Sequence, residues 1–126
     1  MLKMSKITFT RTDYVLQEFR RMKHDFDLTP EQEKQLIDII TKFKWEELKQ
    51  GTYKITLIDM IHCIADKEIM PYIISLFEQL HKKFWIKSEE IDTARRAVQN
   101  TNWIGVNPVE YRSMINDIII KTIADK

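Results

Sequence analysis

Asp59, His62, Cys63 and Asp66 form the one tight grouping of residue types able to do chemistry in this sequence. On a helix, Asp59 and His62 share a face, as do His62 and Asp66, and Asp59 and Cys63 lie one turn apart. Imidazole and thiolate are both zinc ligands. A structural zinc site takes four ligands, however, and no CxxC or HExxH spacing supplies the rest. His62 and Cys63 are chain neighbours, about 100° apart around a helix. That is poor geometry for a base activating a thiol. The expectation is structural: Cys63 as a small buried hydrophobe, His62 at the edge of the core. His24, Asp25 and Asp27 read as the solvated end of an earlier helix, because no metal-ligand spacing links them. The acidic pairs Glu46–Glu47 and Glu89–Glu90 are sequence neighbours and point different ways on a helix. There is no Gly-rich phosphate loop and no GxSxG elbow. The chain is read as a non-enzyme with no metal and no cofactor.

The elements around that grouping are helical. Ile55 to Trp85 is the longest strongly apolar stretch, and it divides at Pro71. Before it, Ile55, Leu57, Ile58, Met60, Ile61, Ile64 and Ala65 are spread around a helix, the mark of a helix buried on all sides. After it, Ile73, Leu76, Phe77, Leu80 and Phe84 keep the spacing of a one-sided helix. Asp66 to Met70 is therefore a corner, with Pro71 in the next first turn. Charged residues interrupt the stretch too often for a membrane span.

Further helices are read on both sides. Thr12 is taken as the cap of the first helix, whose face is Val15, Leu16, Phe19, Met22 and Phe26. Thr29-Pro30-Glu31-Gln32 is a cap, a first-turn proline and a capping-box partner. It opens a second helix read as far as Leu48, with Gly51 as terminator and Trp45 partly exposed beside its stripe. Thr56 and Asp59 are taken as the start of the third helix. Ser88 is taken as the cap of a fifth helix with a thin apolar face, Ile91, Ala94, Ala97 and Val98. Asn107-Pro108-Val109-Glu110 repeats the cap logic before a strongly apolar last helix, with Ile120 off its main face.

Composition agrees with this all-α reading. The chain has 126 residues, 44% hydrophobic and 31% charged, with only 2 Gly and 3 Pro. So few turn residues argue against a sheet-rich fold. The expectation is a compact single-domain bundle of five to six helices over residues 1–126, with a buried central helix, a lead-in at residues 1–11 and no internal repeat. A net charge of +1 provides no global field for nucleic acid or anionic membrane. The single cysteine and the lack of an apolar leader at Met1 to Arg11 point to a cytoplasmic protein. Abundant Ile and Lys with little Ala are common in AT-rich genomes, including those of phages and mobile elements.

Thr101 to Asn116, TNWIGVNPVEYRSMIN, resembles the turn and second helix of a helix-turn-helix. Gly105 suits the tight turn, Val106 the core plug and Asn107 the cap, with Tyr111 and Met114 inward. The resemblance implies that Asn107, Arg112, Ser113 and Asn116 lie near the groove of duplex DNA. Asn100, Thr101 and Asn102 stand where the preceding helix would continue in that family, and Glu110 and Asp117 would face phosphate.

A second binding signal is basic and aromatic. Lys82, Lys83, Lys87, Arg95 and Arg96 surround Trp85, a combination suited to an acidic protein surface or a phosphate backbone. Trp and Arg dominate interface hot spots. Trp45, Trp85 and Trp103 are all read at helix ends or in loops, and one of them is expected to be exposed. The function expected is non-catalytic protein binding through this patch, as in a phage or mobile-element inhibitor or accessory factor. The alternative is a DNA-binding regulator using residues 101–116. Another protein is the expected partner, with nucleic acid the alternative, no membrane, and self-association through Ile120 and the fifth helix a further option.

Overall fold

The computed structural model describes residues 9–124; of the lead-in expected at residues 1–11, residues 1–8 lie outside the described residues, while Thr10 caps and Arg11 opens the first helix. Among the described residues there are six α-helices and no strand. They are α1 (Arg11–Met22), α2 (Pro30–Lys42), α3 (Tyr53–Ala65), α4 (Met70–Leu80), α5 (Ser88–Asn100) and α6 (Tyr111–Ala124). They fall into two compact units, Met1–Ala65 and Asp66–Lys126. In the first, α1, α2 and α3 each pack on the other two; in the second, α4, α5 and α6 do the same.

Local chemistry sets the helix bounds. α1 is capped by Thr10 rather than Thr12: Thr10 Oγ1 accepts from the Asp13 amide at 3.1 Å, and Asp13 Oδ2 accepts from the Thr10 amide at 3.0 Å. Asp13 lies three residues after Thr10, the spacing a reciprocal box requires. The box at Thr29 and Gln32 forms as read, with Pro30 first in α2. α5 is capped by Lys87, not Ser88, since Glu90 Oε1 takes the Lys87 amide at 2.8 Å. Pro71 sits in the first turn of α4, where its missing N–H is no loss.

The second helix is shorter than its apolar spacing implies. It stops at Lys42 because Phe43 turns extended and carries Trp45 inward. Trp45 is 0% exposed, against the partial exposure expected, and its Nε1–H donates to the Ile40 carbonyl at 2.8 Å. Single 3-10 turns at Trp45–Glu47 and Gln50–Thr52 then lead into α3. Thr56 and Asp59 do not start α3; they lie inside it and are buried, along with Tyr53, Leu57, Met60 and Ile61. α3 is not buried on all sides as its composition implied: Ile55 is 40% exposed, and Ile58, Ile64 and Ala65 are half-buried.

The chain does contain an internal repeat, at a constant interval of 58 residues. 3-10 turns at Lys23–Asp25 and His81–Lys83 are followed by extended Phe26 and Phe84. α2 begins at Pro30 and α5 at Ser88; both have 13 residues. The 3-10 turns Gln50–Thr52 and Pro108–Glu110 precede α3 and α6. No insertion or deletion intervenes. Core positions obey the same interval: Val15 and Ile73, Phe19 and Phe77, Leu36 and Ala94, Ile40 and Val98, Leu57 and Ile115, Ile61 and Ile119 are all buried. Trp103 repeats Trp45 in full: it is 2% exposed, and its Nε1–H donates to the Val98 carbonyl at 2.8 Å. Each indole meets a tyrosine edge-on, Tyr53 at 5.8 Å and Tyr111 at 6.0 Å. Buried aromatic pairs of this kind carry large apolar area and a preferred geometry.

Candidate functional site: the exposed edge of the second unit

Asp59, His62 and Cys63 lie in α3, and Asp66 follows its last residue, Ala65. Asp59 is 2% exposed, and His62 is half-buried with its ring edge-on to Phe26 at 5.4 Å. Cys63 is half-buried and not in a disulfide. Among the described residues no group of three or more His, Cys, Asp or Glu side chains is placed to hold a metal. Asp59, His62 and Asp66 each interact with other groups of the chain, and Cys63 is less buried than the core hydrophobe expected.

Of the residues read as a DNA-contacting set, Asn107 and Ser113 bond within their own segment. α5 ends at Asn100, and residues 101–107 separate it from the next turn, longer than the three or four residues of a helix-turn-helix. Gly105 takes the left-handed conformation at φ 83°. Asn107 Oδ1 accepts from the Val109 amide, and Ser113 Oγ donates to the Glu110 carbonyl. Asn116 Oδ1 is buried without a hydrogen-bond partner. Arg112 is half-buried and interacts within the chain. The loop serves chiefly to return Trp103 to the core, as the loop after α2 returns Trp45.

The basic-aromatic set divides into two groups. Arg95 belongs to the packing of α5 on α4. Its Nε donates to Glu78 Oε2 at 2.8 Å, its Nη1 to Asp92 Oδ1 at 3.0 Å, and its guanidinium lies 5.6 Å from the centre of the Phe77 ring. The hydrogen bond from Arg95 holds the Glu78 carboxyl below its usual range, with His81 assisting at 3.1 Å. Arg96 is exposed and reaches back to the Asp92 carbonyl at 3.5 Å.

Lys82, Lys83, Trp85 and Lys87 form the other group. They lie along the 3-10 turn and the extended residues between α4 and α5, and all four are exposed. Phe84 and Ile86 alternate with them and turn inward to half-burial. This two-residue alternation projects Trp85 outward. Trp85 is fully exposed, while the other two tryptophans are buried. Among the described residues no ion pair takes up Lys82, Lys83 or Lys87. Ile104 and Ile120 are exposed elsewhere in this unit.

No helix among the described residues is long and apolar enough to cross a membrane. No family model, curated protein or solved structure matches the chain.

Proposed function

We propose that this chain is a non-catalytic protein-binding module, and that it binds through the edge formed by Lys82, Lys83, Trp85 and Lys87. The observation that carries this reading is Trp85. A fully exposed indole places its whole apolar surface in water, and folding gains nothing from it there. Tryptophan in such a position, ringed by charges that solvate the free state, is the composition of an interface anchor. The second unit contains six Phe, Tyr and Trp residues, and five of them have an aromatic counterpart 58 residues earlier. Trp85 alone does not: its counterpart is Asp27. A unit of the same plan is therefore built without it.

Photo-crosslinking in host cells tests this. A benzophenone side chain at position 85 of the full chain should give a discrete protein adduct, and the same group at position 27 should not. Equal labelling from both positions, or none from 85, would overturn the reading. Duplex DNA is tested separately by salt-dependent binding of the purified chain. Specific binding that disappears with Arg112→Ala would favour the regulator instead.

A further inference from the structure

The two units serve as controls for one another. The edge after the first helix has the same backbone in both: φ and ψ are −121° and 142° at Phe26, −113° and 148° at Phe84. In the first unit that edge carries His24, Asp25, Asp27 and Thr29; in the second, at the same four places, Lys82, Lys83, Trp85 and Lys87. All eight side chains are exposed. Backbone and the apolar character of the inward residues, Phe26 and Phe84, Leu28 and Ile86, are kept, while the outward residues differ in charge and in apolar character. The fold tolerates either set, so the fold does not account for the difference.

We infer that the edge of the second unit is a docking site for an acidic protein segment that also presents an apolar side chain to Trp85. This rests on the binding reading above and adds the chemistry of the partner. Three ammonium groups beside one exposed indole complement carboxylates flanking an apolar residue. A phosphate backbone is less well matched. Nucleic-acid surfaces extend cationic contacts along a track, and here Glu89 stands two residues after Lys87 while Arg95 is held by Glu78 and Asp92.

The test uses the full chain and three probes: a random copolymer of glutamate and tyrosine, polyglutamate, and a random-sequence DNA duplex. The tryptophan emission of the chain should shift to the blue with the copolymer. Polyglutamate should bind more weakly, and DNA more weakly still. Lys82→Glu with Lys83→Glu should weaken copolymer binding by about tenfold or more. Trp85→Ala should remove the preference for copolymer over polyglutamate. A graft of His24→Lys, Asp25→Lys, Asp27→Trp and Thr29→Lys should create a second site in the same chain. The Gln32 carboxamide remains in this graft to take the amide of residue 29, as Glu90 does for Lys87. Unchanged helicity by circular dichroism establishes that the graft is folded. Copolymer affinity insensitive to the double reversal, DNA bound as tightly as copolymer, or a single site in the folded graft would each overturn the proposal. A crosslinked protein adduct from position 85, together with no copolymer binding, would leave the binding reading standing and remove the acidic segment.

Discussion

The three tryptophans show how one residue type takes two roles. Trp45 and Trp103 fill the core and each satisfies a carbonyl near the end of the helix before it. Replacing either by alanine removes a large buried ring and the indole donor, although the Val98 carbonyl keeps the Thr101 amide at 3.2 Å. Each substitution should cost about 3–5 kcal/mol in urea unfolding. Trp85→Ala should change stability by less than about 0.5 kcal/mol, since it removes only exposed surface. Acrylamide quenching offers a second measure, because Trp85→Phe should remove nearly all the readily quenched emission. Glu78 gives a pH prediction. Its carboxyl is held low chiefly by the Arg95 hydrogen bond, so its stabilising effect is present above the pKa of the unfolded carboxyl. That effect is lost as pH falls through the lower folded value. Glu78→Gln should therefore be the less stable protein near neutrality, and the gap should close on acidification. The gap should be small, because the Glu78 side chain is 41% exposed and water screens the pair.

At the scale of elements, caps followed by proline were legible, while those read at Thr12, Thr56 and Ser88 were not. Thr29-Pro30 announces α2, and Asn107-Pro108 the 3-10 turn before α6, because the side-chain acceptor and the proline act within three residues. Thr29→Ala should cost about 1 kcal/mol. The end of α2 was hidden for a physical reason. Leu48 continues the apolar spacing of Leu36 and Ile40, and periodicity alone does not register that Phe43 has turned extended. Trp45 is buried through that turn, a tertiary effect with no local signal. Glycines divide on the same principle. Gly105 has a φ of 83°, with open space around it, so Gly105→Ala should cost about 1–2 kcal/mol through backbone strain alone. Gly51 has open space and no positive φ, so Gly51→Ala should stabilise by about 0.4–1 kcal/mol. Thermal melts of the two variants should move in opposite directions.

At the scale of the whole chain, the helical class was readable from composition and the repeat was not. Between residues 9–66 and 67–124 only eight aligned pairs are identical: Tyr14 and Tyr72, Phe19 and Phe77, Phe26 and Phe84, Glu31 and Glu89, Trp45 and Trp103, Tyr53 and Tyr111, Asp59 and Asp117, Ile61 and Ile119. Elsewhere the core keeps burial and changes residue, as with Leu36 and Ala94. Each unit also ties its first helical segment to its second by a different charge pair, Lys23 with Glu33 at 2.6 Å and Arg95 with Glu78 at 2.8 Å. The edge proposed for binding stands in the sequence as a basic-aromatic cluster. Separating Arg95 from Lys82, Lys83, Trp85 and Lys87 required the packing of α4 on α5. Hydrogen exchange should report the shared plan: the pattern of protected amides over 67–124 should overlay that over 9–66 after a shift of 58. Unrelated patterns would show that equivalent backbone does not give equivalent local stability.

The pairing of each core indole with the tyrosine that opens the following helix fixes the length of chain between them. Seven residues separate them in both units. Together with the other shared aromatics, this leaves a signature in plain text, Y-x4-F-x6-F-x18-W-x7-Y, written twice in one chain. It survives where overall identity has faded, because its letters are held by interlocking shape and its gaps by geometry. As a query against translated genomes, it should retrieve kin that ordinary similarity scoring passes over, including chains that carry it a single time.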